Sequence, residues 1–538
     1  MNTGVRHAPM IPLAPPPPSM ALTIELPMPK TLITADRSPL RKTTRTLAAL
    51  ALLSFMQPAT AQQTFEFDQE LVGQNSDDLF GWSLDLSGDG YTVIIGAIDN
   101  DGAAVGAQPA GHARVYKNTF NAQSNSWSWG QVGADIDGTF QDEEAGYSVT
   151  VTTNGNTVAV GSPNRNKTRV YDRNGQNWVQ RTANGFNIYS SEDPQRAGHA
   201  VSLSGNGHIL AMGGPLARKV WVANISAGPG MGEIVGIPIQ LPGTYAGGSL
   251  DLDENGNNMV IGAYQANTNR GEVYVYQRSG NTWTQRGQTL QGVNNYDEFG
   301  FDVSINNNGN TIAVGIKGWD DNPNNTTYEI GQTAIYDWDG SQWVQRGAAI
   351  QGNNIFDQCG YAVSLSGDGN RIAVGYRASN IAFTGGGQVR VFDWNGTAWA
   401  QNGDPILGDG VNVFCGHSVG LSDDGVVLGV GLSRGGVITP FGGSQGKVWM
   451  YEEADIMTGT PSLSAVDLAV HPNPTSDLIT VRSELALERL DVFDLSGKFL
   501  LGNSMQKDMD LSALPQGPYF LRVTFAGGVV GHTRIIKL

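Results

Sequence analysis

Gly360-Tyr-Ala-Val-Ser-Leu-Ser-Gly-Asp-Gly-Asn-Arg-Ile-Ala-Val-Gly375 is the stretch from which the fold of this chain can be read. Val363 and Leu365 alternate with Ala362, Ser364 and Ser366, the period of two that puts branched residues on one face of a strand. Gly367-Asp368-Gly369 supplies positive-φ residues for a tight hairpin turn, and Ile372 and Val374 alternate again on the returning strand. Gly387-Gln-Val-Arg-Val-Phe-Asp-Trp394 reads as a third strand. Asn395-Gly396 reads as a second hairpin and Trp399 opens a fourth strand. Four short antiparallel strands make one meander, too small to bury both of its faces alone.

The unit recurs. Its opening glycine stands at Gly81, Gly146, Gly198, Gly247, Gly300, Gly360 and Gly416, 49 to 65 residues apart. That spacing suits four-stranded propeller blades with variable loops. Seven such sheets closing radially bury each other's faces and leave few open edges. The predicted fold is therefore all-β, a seven-bladed β-propeller followed by a small Ig-like β-sandwich.

Composition agrees. The chain has 538 residues, enough for more than one domain, with 71 glycines and 15 % charged residues, as a turn-rich β protein would. The net charge of -17 argues against nucleic acid or an anionic membrane as partner. Cys359 and Cys415, each directly before an opening glycine, are the only cysteines, so no disulfide framework holds the fold. Matching sites on adjacent inner strands are a disulfide candidate; the alternative is two small buried hydrophobes.

Residues 1–61 read as an amino-terminal extension plus signal peptide. Arg41, Lys42 and Arg45 precede the apolar run 47–56, and the small residues Ala59 and Ala61 follow, which predicts cleavage after Ala61. The run is too short to cross a bilayer, and no other stretch is apolar enough, so no transmembrane segment is expected. The propeller is assigned to 62–452. Its opening segment, 65–74, resembles the fourth strand of later blades, while the seventh blade stops after its third strand, near Tyr451. The amino-terminal strand is thus expected to complete blade seven. Tryptophans 178, 283, 343 and 399 follow the third-to-fourth hairpins and face Tyr171, Tyr276, Tyr336 and Phe392. They read as packing residues, with sugar stacking as the alternative. A linker, 453–464, precedes a different unit, 465–538, whose alternation at Ile479/Val481 and Leu521/Val523 marks sandwich strands.

Two family resemblances attach to these residues. In the last unit, Pro472-Asn473-Pro474, Asp494-Leu-Ser-Gly-Lys498, Leu514-Pro-Gln-Gly-Pro-Tyr-Phe-Leu521 and the basic-apolar ending resemble the type A sorting domain of the bacterial type IX secretion system. The resemblance implies export by a Bacteroidetes-type bacterium, to the medium or the outer-membrane surface, with the type IX machinery as partner through 465–538. The repeats resemble FG-GAP blades, also found in integrin α chains: Phe80-Gly81 and Phe299-Gly300 carry the name-giving pair, and Gly161-Ser-Pro163 and Gly213-Gly-Pro215 the proline. Calcium-binding members of that family place oxygen ligands between the first two strands. Asp251, Asp253 and Asn255 come closest here, but Met259 stands where the last carboxylate belongs. Calcium is the only cofactor the sequence suggests.

No catalytic signature is present: the seven histidines lack metal-ligand spacing, and there is no nucleophile elbow, zinc helix or phosphate loop. Ser87-Gly-Asp-Gly-Tyr-Thr92 echoes the sialidase turn only loosely. Asp78, Glu143, Asp297 and Asp357 recur three residues before opening glycines. They read either as turn-stabilising acceptors or as an acidic rim around the channel mouth. Trp319, beside Asp320 and Asp321 in a long loop, is the aromatic best placed to stack on a sugar. The expected function is that of a secreted, non-catalytic, adhesin-like propeller that binds a glycan, matrix polymer or protein through this loop face. The alternatives are a polysaccharide-degrading enzyme on the same scaffold and a purely structural propeller that adheres through its blade edges.

Overall fold

The computed structural model describes residues 65–537 except 76, 102–108, 122–125, 182–185, 188–194, 227–232, 235–237, 322–328, 435–444, 454–468, 472–474, 483–486, 494–498, 505–506 and 526–529. The signal segment with Ala61, nearly all of the linker and two of the sorting-motif blocks lie outside the described residues.

Alternating sequence becomes seven antiparallel sheets that succeed one another along the chain. Their first strands are Ser83–Leu86, Ser148–Val151, Ala200–Leu203, Ser249–Leu252, Phe299–Ile305, Cys359–Leu365 and Cys415–Leu421. Each lies beside the next, and the seventh lies beside the first, so the ring closes around these inner strands. The fold is a seven-bladed β-propeller followed by a small β-sandwich.

Glycine sets how closely the blades approach. A Cβ on Gly315, in the second strand of blade five, would lie 2.1 Å from the carbonyl oxygen of Gly360, which opens blade six. Gly96, Gly161, Gly213, Gly262, Gly375 and Gly431 meet the carbonyls of Gly146, Gly198, Gly247, Gly300, Gly416 and Gly81 in the same way. Every seam of the ring therefore brings backbone against backbone. Apolar clusters fill the blade interfaces: Leu71, Phe80, Leu84, Ile95, Val448 and Met450 belong to the one that joins blade seven to blade one.

Phe65–Val72 pairs antiparallel with Lys447–Glu453, the third strand of blade seven, and forms its outer edge. Glu70 Oε2 accepts Lys447 Nζ and Trp449 Nε1, while Asp68 Oδ2 accepts Trp129 Nε1 of blade one. One strand thus ties the last blade to the first. Elsewhere, Trp178, Trp343 and Trp399 donate their indole N–H to the carbonyls of Val132, Arg286 and Arg346 in the preceding blade. Arg286 and Arg346 stack on the Trp338/Trp343 and Trp394/Trp399 pairs. These tryptophans are spent on packing between blades.

The hairpins differ from the expected turns. In the first hairpin of blade six only Gly369 has positive φ (72°), and Gly367 does not. Ser366 Oγ instead accepts Arg371 N and closes the turn. Between third and fourth strands, Gly175 and Gly280 each take positive φ as the first residue of a two-residue loop. Blade six has a four-residue loop there, in which Asn395 Oδ1 accepts Thr397 N and Ala398 N. A side-chain acceptor replaces the second left-handed residue.

The carboxy-terminal unit has a three-stranded sheet (Ala469–His471, Leu478–Arg482, Asp508–Asp510) and a four-stranded one (Leu487–Phe493, Phe499–Ser504, Gly517–Phe525, Val530–Lys537). Ile479, Val481, Leu490, Val492, Leu521 and Val523 share its core. Tyr519 Oη donates to Pro515 O at 2.7 Å and pins the corner before its third long strand.

Candidate functional site

Each blade's inner strand delivers one residue, directly after the opening glycine, to the same mouth of the central channel. These are Trp82, Tyr147, His199, Gly248, Phe301, Tyr361 and His417. Where Gly248 offers no side chain, Tyr245 and Tyr264 stand in. Eight rings result, in the order Trp82, Tyr147, His199, Tyr245, Tyr264, Phe301, Tyr361, His417 and back to Trp82. Neighbouring centroids lie 4.6–5.8 Å apart. The tilted and edge-on contacts are those that aromatic quadrupoles favour.

The histidines are held neutral inside this collar. His199 Nδ1 is 3.1 Å from Gly248 O and its Nε2 is 3.0 Å from Tyr147 Oη, which puts the proton on Nδ1 and makes Nε2 the acceptor. Burial and the nearby Arg196 push its pKa down to about 4. Arg377 Nε donates to His417 Nδ1 at 2.9 Å, and burial drives that ring well below its usual range. Three cations lie over collar rings: Arg196 on Tyr147, Lys317 on Phe301 and Arg377 on Tyr361. Glu144 pairs with Arg196 and Glu298 with Lys317.

The residue two before each opening glycine, namely Leu79, Glu144, Arg196, Tyr245, Glu298, Gln358 and Phe414, has φ between 52° and 62°. This left-handed conformation in seven non-glycine residues stores strain around one mouth, where functional surfaces concentrate it. The loops of that face also expose apolar side chains, among them Val293 (80 % exposed), Phe140 (55 %), Ile355, Phe356 and Val411.

Below the collar lies a cavity of about 280 Å³, continued by a second of about 180 Å³. Side chains facing this channel suture the blades. Asp85 Oδ2 accepts Val151 N, Thr150 Oγ1 accepts Leu203 N and Ser202 Oγ accepts Leu252 N. Asp251 Oδ2 accepts Ile305 N, Ser304 Oγ accepts Leu365 N and Ser364 Oγ accepts Leu421 N. The seventh seam has Gly420 at this level and is tied by Ser418 Oγ, which donates to Gly81 O at 2.9 Å. Asp302 Oδ2 accepts Val363 N one layer above. Burial raises Asp85 and Asp302 to about 6 and Asp251 to about 7, against the pull of these hydrogen bonds.

Comparison with known proteins bears on the carboxy-terminal unit. Residues 469–537 match the family model described as "Secretion system C-terminal sorting domain". The last unit is a type IX sorting domain. It marks the protein as secreted or attached to the cell surface of a Bacteroidetes-type bacterium. No helix among the described residues is long and apolar enough to cross a membrane. In the sorting domain the fully buried Asp491 takes Arg489 Nε and Arg522 Nη2, and these guanidinium groups hold its carboxyl below the usual range. No curated protein matches the chain. Among solved structures, hydrazine synthase of Kuenenia stuttgartiensis is similar at 13% identity and a TM-score of 0.43, over 67% of this chain and 94% of that one.

The candidates drawn from sequence do not form this site. Asp78, Asp297 and Asp357 are buried, and in each Oδ2 accepts the two backbone N–H groups three and four residues earlier, such as Asn294 N and Val293 N for Asp297. Glu143 does the same for Thr139 and Phe140, and its Oε1 takes Arg169 Nη2 at 2.7 Å. These four are turn acceptors and make no acidic rim. Trp319 is half-buried against the blade-five core, Asp320 is buried, and Asp321 alone is exposed. The expected sugar platform is thus part of the packing.

The calcium candidates also separate. Asp251 faces the channel, Asp253 caps its own turn by accepting Asn257 N and Asn258 N, and Asn255 is exposed at the tip. Among the described residues, the one group of three His, Cys, Asp or Glu with ligand atoms within 4.8 Å of one another is His112, Asp135 and Asp137, in blade one. Asp135 there is already held by Arg114 through both oxygens. Cys359 and Cys415 are unbridged and buried in different clusters. The collar itself was missed, although its signal was available: an aromatic residue or histidine follows six of the seven opening glycines.

Proposed function

We propose that this protein is an exported, non-catalytic binding protein of adhesin-like character. On this reading its propeller holds a glycan, matrix polymer or protein at the collared channel mouth, and the sorting domain delivers it to the outside. The observation that carries the proposal is the closed ring of eight aromatic and histidine side chains above a cavity, on the face that exposes apolar loop residues. Concave, largely apolar sites with a few fixed polar groups are where small ligands and polymer ends bind. Membership of the FG-GAP propellers belongs to the same proposal and rests on the repeat motifs. The reading needs no calcium.

The second reading, a polysaccharide-degrading enzyme, draws on Asp85, Asp251 and Asp302, three carboxylates along one channel. The experiment that tests both is a glycan-array and matrix-protein screen of the propeller-bearing protein, with calcium and with chelator, alongside Trp82→Ala. Specific binding lost in the variant supports the proposal. Turnover of a polysaccharide moves the assignment to the enzyme, and absence of any binding removes the adhesin reading.

A further inference from the structure

The channel gathers three acidic side chains and, among the described residues, no cationic one. Asp85, Asp251 and Asp302 line the lower cavity, and Asp302 also lines the upper one. Their hydrogen bonds come from backbone N–H groups and, at Asp85 and Asp251, from the Thr150 and Ser202 hydroxyls. Among the described residues no lysine or arginine lines either cavity. The basic groups near the mouth, Arg196, Lys317 and Arg377, lie over collar rings without lining either cavity, and the first two are paired with Glu144 and Glu298. Carboxylates lining one channel repel one another, as Asp85 does Asp251, and favour a positive guest. The way in is ringed by Trp82, Tyr147, Tyr245, Tyr264, Phe301 and Tyr361, and such π-faces attract cations that carry apolar groups.

We propose that the channel binds an alkylammonium group, a positive nitrogen on an apolar stem, which passes the aromatic collar to reach Asp302 and, below it, Asp85 and Asp251. The inference rests on the collared mouth being the binding site, and it assigns the ligand class. Asp302 stands one residue beyond the collar position and Asp85 and Asp251 three beyond, a step of about 7 Å at the rise of a strand. A stem of about four carbons spans that step. A bare hard cation such as sodium or calcium would gain little from the collar, whose polar atoms are neutral tyrosine and histidine groups and include no carboxylate.

The test is titration of the full chain with n-butylammonium, followed by calorimetry and by the part of the tryptophan fluorescence change that Trp82→Phe removes, against 1-butanol as the neutral isostere and against sodium and calcium chloride at equal ionic strength. Saturable binding of butylammonium, at least tenfold tighter than butanol, is expected. Asp302→Asn keeps an oxygen for Val363 N and should weaken it about tenfold with the melting temperature retained, and Tyr361→Leu should weaken it independently. Equal affinity for butanol, saturation by calcium or sodium with none by butylammonium, or no binding at all each overturns the proposal. The glycan screen separates the two readings. Polymer binding that survives Asp302→Asn without any amine affinity leaves the proposed function standing and removes this inference. Amine binding without any polymer ligand does the reverse.

Discussion

Gln69 and Trp129 hold each other through a two-way contact across the closing seam of the propeller. Gln69 Nε2 donates to Trp129 O at 3.0 Å, and Gln69 Oε1 accepts Trp129 N at 2.9 Å. Gln288 makes the same pair of bonds to Trp343 between blades four and five. The amino-terminal strand therefore occupies the place of an ordinary fourth strand.

Removing residues 62–75 should destabilise the whole ring, since it strips blade seven of its edge and blade one of its clamp. Gln69→Ala alone should cost about 1–3 kcal/mol, from two half-buried hydrogen bonds and one backbone pair left without its partner. Urea unfolding followed by tryptophan fluorescence checks both. A truncated chain as stable as the full one would mean that closure lies elsewhere.

Gly315→Ala should destabilise by about 1–3 kcal/mol, because the added methyl lands on the carbonyl of Gly360 and one blade must back away from the next. Gly130→Ala, where a Cβ meets nothing within 4 Å, is the control and should change little. Melting temperatures of the two variants make the comparison.

Stability should depend on pH through Asp251. Its folded pKa of about 7 lies above the ordinary 3.8, so the native state holds a proton that the unfolded chain releases. The contribution is fully present below about 4 and is lost as pH rises through about 7. His199, pushed down to about 4, works in the opposite sense between about 4 and 6.5. The difference between wild type and Asp251→Asn isolates the carboxyl: the wild-type urea midpoint should fall relative to the variant from pH ~5 to pH ~8. A constant difference would show that Asp251 is ionised throughout.

Cys359 and Cys415 should resist thiol reagents in the native protein. Burial pushes the Cys359 thiol up to about 12 and raises Cys415 as well. Two thiols should titrate only in denaturant, and reductant should leave the melting temperature unchanged. A single intact disulfide after unfolding without reductant would contradict the free thiols.

Truncation after Glu453 should leave the propeller folded but retained inside the cell envelope, since the sorting domain carries the export signal. Fractionation of cells that express the truncated chain reads this directly, with release to the medium as the contrary result.

The repeat of alternating strands and glycines was enough to determine the seven-sheet β architecture, and the motif blocks around Leu514–Leu521 to mark the sorting domain, because both are local patterns in which each residue's partner lies within a few positions. The same locality misled at Asp78, Asp297 and Asp357: a carboxylate three residues before a glycine looks the same whether it faces a ligand or its own turn, and only the φ angles of the surrounding loop make it an acceptor for two backbone amides. The collar needed the tertiary structure. Trp82 and His417 are far apart in sequence, yet their rings lie 4.7 Å apart because the ring of blades closes there. Sequence spelled out each blade; convergence of seven inner strands on one axis decided which side chains share a channel.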